Sequence, residues 1–307
     1  ELMAALAFVN GAAETFAQPA RQCLLPGFVP RQFLASGVAL NSLTYNVARF
    51  VGPAISGPMI VAWGTVPSIA LNGFAFLYAA LTMSMLRIDP SIRRGGGSSH
   101  SVLHDAIEGV RYVVRHPGIG PLLLYAATVG FTLRSVPEML PPFVAQQFGR
   151  GAEGLATLAS AMGMAAMCGG LYVALRGRVA GLARLSMLAA GASALAVALF
   201  AATNQFPIGV TAIALMGLFT PMHGISVQTL IQNSTSSAMV GRVLSFWGMI
   251  TRAAPAIGAL VYGIASEFAG LRVPVLVGCA ICLCMWARTW VRRKRIAAAL
   301  EIGSAPN

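Results

Sequence analysis

Hydrophobic residues are gathered in nine long runs that short polar segments separate. A helix needs about 20 mostly apolar residues to cross the hydrocarbon core of a bilayer, and the runs lack the apolar–polar alternation of outer-membrane barrel strands. The pattern therefore predicts nine transmembrane helices, with internal glycine and proline of the kind that membrane helices tolerate. The runs have the approximate bounds 1–18, 38–63, 67–86, 119–146, 153–175, 185–204, 207–232, 243–267 and 272–291.

Basic residues between the runs predict how the helices are oriented. One set of alternate connecting segments carries sixteen of the 21 basic residues, the other set carries only Arg150 and Arg272, and three arginines lie inside runs. Cytoplasmic loops of membrane proteins are enriched in lysine and arginine. The asymmetry therefore predicts a multi-pass protein of the cell inner (plasma) membrane with a cytoplasmic C-terminus.

The longest polar segment, residues 87–118, contains an amphipathic stretch. Between Val102 and Arg115, apolar side chains recur at helical spacing, and charged side chains occupy the opposite side. Ser101 is suited to cap the N-terminus of such a helix, and Pro117 is suited to end it. The stretch predicts a helix that lies along the inner surface of the membrane.

Composition narrows the class of protein. Hydrophobic residues make up 57% of the 307 residues and charged residues only 10%, whereas soluble domains have about 25% charged residues. So few charges cannot cover the surface of a soluble protein this apolar, which excludes a cytosolic enzyme, a disordered tail and a secreted disulfide domain. The net charge of +12 does not indicate nucleic-acid binding, because the basic residues punctuate hydrophobic runs instead of forming one soluble basic face.

The sequence carries no motif for catalysis or for a cofactor. It has no glycine-rich phosphate loop, no nucleophile elbow and no metal-hydrolase helix. Cys279, Cys282 and Cys284 cluster in the last run, but their spacing spreads them around a helix that has no histidine nearby. We therefore expect no enzymatic activity, no cofactor and no bound metal.

Two distant segments resemble each other and indicate an internal repeat. The second run contains Pro53-Ala54-Ile55 and the eighth contains Pro255-Ala256-Ile257, an offset of 202 residues, and an arginine precedes each triplet. A repeat at this offset makes a unit of six helices with the same direction across the membrane, an arrangement that transporters use. Because the first unit then holds only three helices, we expect the sequence to be a fragment or truncated product of a twelve-helix protein.

The second run also carries a motif that resembles a known family. The pattern Gly52-Pro53-x-x-Ser56-Gly57, preceded by Ala48, is similar to the antiporter motif in the fifth helix of major facilitator superfamily exporters. It departs from that motif at Ala48 and Ser56, where the family has glycine. Small residues and proline suit close helix packing at an interface that moves.

Two further strings resemble one subgroup of that superfamily, the enterobactin-exporter-like transmembrane secretion effectors. They run from Asp105 to Pro117 in the linker and from Leu40 to Arg49 before the antiporter motif. The resemblance implies an all-α polytopic helical bundle with the major facilitator fold, with nine of twelve helices present in two pseudo-symmetric halves. The expected parts are a partial N-terminal bundle, a cytoplasmic linker, a C-terminal six-helix bundle and a cytoplasmic tail, at 1–86, 87–118, 119–295 and 296–307.

Charged residues inside the runs are candidates for substrate binding or coupling, because a charge at membrane depth is expensive and usually marks function or a fixed pair. Arg134 and Glu138 are four residues apart on one face of the predicted helix. They form either a structural ion pair or a proton-coupling carboxylate beside a cation. A third alternative is that one of them lies in a wet outer loop, since Pro141 and Pro142 follow closely. Glu14, toward the inner end of the first run, is either an interfacial carboxylate or a second coupling residue.

Two more arginines and one histidine complete the candidates. Arg49 and Arg252 occupy repeat-related positions, and they are either packing residues bonded to backbone carbonyls or a pair that recognises an anionic group. His223 is a lone imidazole near the middle of its run, and it is either a hydrogen-bonded core residue or a proton relay.

These observations predict a secondary transporter that works as a monomer in the lipid bilayer by alternating access. The prediction of transport rests on the repeat and on the buried charges. Export, exchange with protons and a cargo of small amphipathic molecules such as drugs or siderophores are implied by the resemblance. Two alternatives stay open, an uptake permease of the same superfamily and a truncated protein that does not transport.

Overall fold

The described part of the chain consists of helices and the turns that join them, with no strand among its residues. A computed structural model describes residues 44, 48, 52, 55, 59, 62–85, 102–176, 178–235 and 239–301. Its helices, which we number in chain order, are α1 Thr65–Ser84, α2 Val102–Arg115, α3 Ile119–Thr132, α4 Ala152–Arg176, α5 Leu182–Ala202, α6 Phe206–Ser234, α7 Val240–Ala269, α8 Arg272–Val291 and α9 Arg293–Leu300.

Seven of the nine predicted membrane helices fall in the described residues, and all seven are confirmed as helical segments long and apolar enough to cross a membrane. The run 1–18 lies outside the described residues, and 38–63 is described at only a few positions. The amphipathic stretch of the linker forms α2 over the predicted bounds.

The described helices fall into two compact units. One contains α1 from Ala70 onward, and most side chains of α1 are exposed. The other contains α2 to α9. Within this second unit α6 packs against α4 and α5, α5 packs against α8, and α3 packs against α7 and α8.

Glycines permit close approach between the helices of the second unit. A Cβ placed on Gly169 of α4 would collide with the carbonyl oxygen of Leu218 on α6, and one on Gly217 of α6 would collide with the carbonyl oxygen of Met162 on α4. Small residues let helix backbones approach this closely, which strengthens packing between membrane helices. The α4–α6 contact therefore depends on glycine from both sides.

The run 119–146 differs from the predicted continuous helix. α3 ends at Thr132, and the chain continues through a turn, a 3-10 turn at Val136–Met139, a short helical turn at Leu140–Pro142 and a π-helical turn at Phe143–Gln147. Proline has no amide hydrogen and clashes with the preceding helical turn, so the prolines at 137, 141 and 142 prevent a regular α-helix here. The segment still counts as one potential span, but its second half is irregular.

Candidate functional site

A buried histidine lies at the centre of a polar cluster inside the second unit. His223 lies near the middle of α6, two residues after Pro221, and is 2% exposed. Its Nδ1 lies 3.0 Å from the hydroxyl oxygen and 3.1 Å from the carbonyl oxygen of Ser186 on α5. A carbonyl oxygen only accepts hydrogen bonds, so the proton of the neutral ring fits on Nδ1. That tautomer leaves a lone pair on Nε2.

Tyr125 and Ser226 border the same histidine. The Tyr125 ring on α3 meets the His223 ring edge to face, with centroids 5.5 Å apart and planes at 84°. Ser226 follows His223 by three residues on α6, which places both on one face of the helix. The Tyr125 hydroxyl, His223 Nε2 and the Ser226 hydroxyl are buried and have no hydrogen-bond partner in the described structure. A buried polar atom that is left without any partner, water included, costs about 1–3 kcal/mol.

Arg134 lies beside this cluster. Its Nη1 is 3.8 Å from the position that a Cβ on Gly224 would take, and Gly224 is the residue after His223. The structure thus brings together two residues, Arg134 and His223, that the sequence offered as separate candidates.

Arg134 and Glu138 do not form the pair on one helical face that their spacing suggested. Arg134 lies in the turn after α3, and Glu138 lies in the following 3-10 turn with an exposed side chain. Among the described residues no ion pair joins them. The reason is the end of α3 at Thr132, because the four-residue spacing brings side chains together only along a continuous α-helix.

A comparison with protein families identifies the family. The family model described as "transmembrane secretion effector" matches residues 1–302, nearly the whole chain. The chain belongs to this family of major facilitator transporters. The predicted family and its polytopic helical fold are confirmed, and the family and the matched relatives are membrane transporters, not enzymes.

Curated relatives of this chain are named as transporters. It is 27% identical over 244 residues to the uncharacterized MFS-type transporter y4rN of Sinorhizobium fredii, which covers 78% of the chain and 59% of that relative. It is 27% identical over 242 residues to the enterobactin exporter EntS of Shigella boydii, and 26% identical to EntS of Escherichia coli; each match covers 78% of the chain and 56% of the relative. The matches therefore cover less than two thirds of these relatives' lengths.

The other candidate residues of the chain are distributed as follows. Arg252 lies on α7 with an exposed side chain, and it makes no hydrogen bond or ion pair with the described residues. Gly52 is helical and exposed, and a Cβ placed on it would have open space within 4 Å. The remaining candidates, Glu14, Arg49, Pro53, Ser56 and Gly57, lie outside the described residues.

Sequence reasoning missed three residues of the cluster. Ser226 had a usable signal, because it lies one turn from His223 on the same helix. Tyr125 and Ser186 had none, since they belong to other helices and only the packing of α3 and α5 against α6 brings them to the histidine. In the described residues, no group of three His, Cys, Asp or Glu side chains could hold a metal ion.

A second group of polar contacts closes the end of the unit where α3 and α5 begin and α6 ends, which we call the basic end. The short helix α9 crosses this end, with Ile296 and Leu300 buried. Glu301 accepts hydrogen bonds from the backbone N–H groups of Gly181 (2.8 Å) and Ala183 (2.9 Å) at the start of α5. The exposed basic residues around these contacts are Arg178, Arg184, Arg292, Lys294 and Arg295.

The linker helix α2 joins the basic end through two contacts. Arg242 Nη1 on α7 donates to Glu108 Oε2 on α2 at 2.6 Å. Next to Glu108, a Cβ placed on Gly109 would lie 2.7 Å from Phe246 Cε2 on α7, so the two helices touch at that glycine. After α2, His116 Nδ1 accepts from the N–H groups of Gly118 (3.2 Å) and Ile119 (3.1 Å), which caps α3.

Proposed function

We propose that this protein is a proton-coupled exporter of small amphipathic molecules that works by alternating access. The family match over residues 1–302, together with relatives named as enterobactin exporters, carries the proposal of export. Siderophore-like or drug-like cargo follows from that relationship alone. The basic end faces the cytoplasm in this proposal, because its exposed arginines and lysine fit the enrichment of basic residues in cytoplasmic loops.

The buried cluster around His223 supports coupling to protons. Ionisable side chains inside a transporter mark ion pathways and proton relays. His223 is buried, has an unpartnered Nε2 and lies beside the positive charge of Arg134, so a proton on the ring and the position of Arg134 influence each other. Glu14, Glu138 and the arginines at 49 and 252 remain candidates for coupling and for binding an anionic group of the cargo.

Transport in inside-out vesicles tests this function. An outwardly directed proton gradient across such vesicles, with an acidic lumen, should drive accumulation of a fluorescent amphipathic dye or of enterobactin, because protons leave the lumen as cargo enters it. Dissipating the gradient should abolish the accumulation. The variant His223→Gln should lose gradient-driven accumulation. Thr229→Val is a matched control, because Thr229 lies on the same helix and its hydroxyl donates only to the carbonyl of Ile225 one turn away.

Other outcomes decide between the alternatives. Uptake that occurs only in right-side-out vesicles would contradict export and support an uptake permease. A chain that inserts normally but moves no tested cargo in either orientation, while EntS assayed in parallel exports enterobactin, would contradict the proposal and support a protein that does not transport.

A further inference from the structure

The unpartnered polar atoms of the second unit are concentrated at one place. Five buried side-chain atoms in the described residues have no hydrogen-bond partner, and three of them belong to Tyr125, His223 and Ser226. The other two, on Thr235 and Trp286, belong to other helix positions. Buried polar atoms in folded proteins almost always have a partner, which is often an ordered water. One of the three atoms is on the His223 ring, one is on Tyr125, whose ring meets that ring, and one is on Ser226, one helical turn away, so they mark one polar region of the unit.

The chemistry of the three atoms defines what the site accepts. The Nδ1–H tautomer, fixed by the carbonyl of Ser186, makes Nε2 a pure acceptor. The hydroxyls of Tyr125 and Ser226 both donate and accept. A water molecule satisfies this set, because it can donate to Nε2 and exchange hydrogen bonds with both hydroxyls. A metal ion does not fit, since no carboxylate or second histidine completes a ligand group there in the described structure.

We propose that Tyr125, His223 and Ser226 form a buried water site through which His223 Nε2 takes up a proton. A hydrated proton that reaches the site loses its O–H bond, an N–H bond forms at Nε2, and a neutral water stays behind on the two hydroxyls. The ring is then positive and donates from both nitrogens, to Ser186 on one side and to the water on the other. The coupling role of this step rests on the proposed proton-driven export, whereas the site itself rests on the contacts above.

Charged and titratable groups surround the site. Their distances from the ring affect whether Nε2 holds a proton. Arg134 is the positive group beside the ring, with its Nη1 close to Gly224, the residue after His223, and like charges repel each other. Tyr125 faces the ring from α3, and α8, which packs against α3, carries the buried thiol of Cys282. α5 contributes the uncharged Ser186. The titratable side chains of α4 are exposed; they are Glu153, Cys168 and Tyr172. On α7 the side chains of Arg252 and Glu267 are exposed. The hydroxyl of Tyr262, also on α7, donates to the carbonyl of Thr132.

Nitrogen-15 NMR of the histidine-labelled full chain in lipid nanodiscs tests the site without any transport. The His223 signals are assigned by their loss in His223→Gln. At neutral pH we expect a protonated Nδ1, an unprotonated Nε2, and a cross-peak between His223 and water. As the pH falls, Nε2 should gain a proton while the Ser186 contact at Nδ1 persists.

Variants separate the water site from general effects on packing. The double variant with Tyr125→Phe and Ser226→Ala removes only hydroxyls that have no partner, and it should fold and lose the water cross-peak. Ser193→Ala, which removes a bundle hydroxyl paired with Thr220 at 3.3 Å, should keep that cross-peak. Two results in the unmodified chain would overturn the proposal even if a variant fails to fold. They are a protonated Nε2 at neutral pH and the lack of a cross-peak between His223 and water.

Transport measurements on the same proteins distinguish this proposal from the proposed function. In the double variant, gradient-driven accumulation should be lost while exchange of labelled for unlabelled cargo persists. If the NMR results hold but transport by the unmodified chain ignores the proton gradient, the proposed function fails and the water site stands. If transport is proton-driven but His223 shows no cross-peak with water, the water site fails and the proposed function stands.

Discussion

The interior cluster around His223 and the contacts of the basic end use the same kinds of side chain with opposite results. In the interior, one histidine nitrogen and two hydroxyls are buried without partners in the described structure. At the basic end, His116 Nδ1 and the Glu301 carboxylate each accept two backbone N–H groups. The basic end has the polar chemistry of a structural cap, and the interior has that of the water site we propose.

The difference follows from where each group lies in its helix. The N–H groups at the start of a helix have no intrahelical acceptor, so a carboxylate or an imidazole placed there always finds donors. The backbone in the middle of a helix is already satisfied, and side chains such as His223 must find partners on other helices. A structural histidine is therefore easy to satisfy at the basic end, whereas an interior histidine remains available for a ligand.

Removal of the Glu301 carboxylate should have the largest effect on stability. Glu301→Ala leaves the N–H groups of Gly181 and Ala183 without their acceptor, and hydrogen bonds to a charged group contribute about 1.5–3 kcal/mol. We expect the free energy of unfolding in detergent to fall by about 2 kcal/mol. Amide hydrogen exchange at the start of α5 should accelerate.

The control for this change is Glu267→Ala. Glu267 is exposed near the end of α7 and has no hydrogen bond or ion pair with the described residues. Its removal should leave both the stability and the hydrogen exchange of α5 unchanged. Equal effects of the two substitutions would mean that α9 does not cap α5.

Two buried tyrosines allow a matched comparison of a satisfied hydroxyl with an unsatisfied one. The Tyr262 hydroxyl donates to the carbonyl of Thr132 at 2.8 Å, whereas the Tyr125 hydroxyl has no partner. Tyr262→Phe should lower the free energy of unfolding by about 1 kcal/mol, a typical net value for one hydrogen bond. Tyr125→Phe should cause no loss of stability, since it removes a group that makes no protein hydrogen bond. A loss in Tyr125→Phe as large as that in Tyr262→Phe would contradict the contrast.

The parts of this molecule that the sequence predicts are those set by local pattern. The length and position of each apolar run are enough to predict helices α4, α5, α6 and α8. Hydrophobic periodicity predicts α2 with its observed bounds. Run length alone does not show that α3 stops at Thr132, although the prolines that follow carry the signal. Pro137 indicates that the α-helix does not continue through this segment. Taken into account, it would also have predicted that Arg134 and Glu138 do not share one helical face.

The candidate site was predicted less completely because it is made by packing between helices. His223 was identifiable as a polar residue in an apolar run, and Arg134 was identifiable as a buried charge. Their closeness was not, because it depends on how α6 packs against the irregular segment after α3. The partners Tyr125 and Ser186 are ordinary residues in their own helices, and only the fold gives them a role.

The smallest predicted effect concerns pH and the cap at the basic end. His116 lies outside the potential membrane spans, and partial burial lowers the pKa of its imidazole below the ordinary value of 6.5. Its Nδ1 can accept the N–H groups of Gly118 and Ile119 only when that nitrogen is unprotonated. Below pH 6.5 the unfolded chain binds the proton more readily than the folded one, so stability falls as the pH drops from that value through the lower pKa of the folded state.

A comparison with His116→Asn isolates this contribution. Asparagine can still cap a helix but does not titrate. The melting temperature of the unmodified chain minus that of His116→Asn should be constant above about pH 7 and should decrease below pH 6.5. A difference that stays flat between pH 7 and about pH 5 would show that the cap does not depend on a neutral imidazole. That result would leave α3 held at its start by the packing of Leu300 against Gly118 instead.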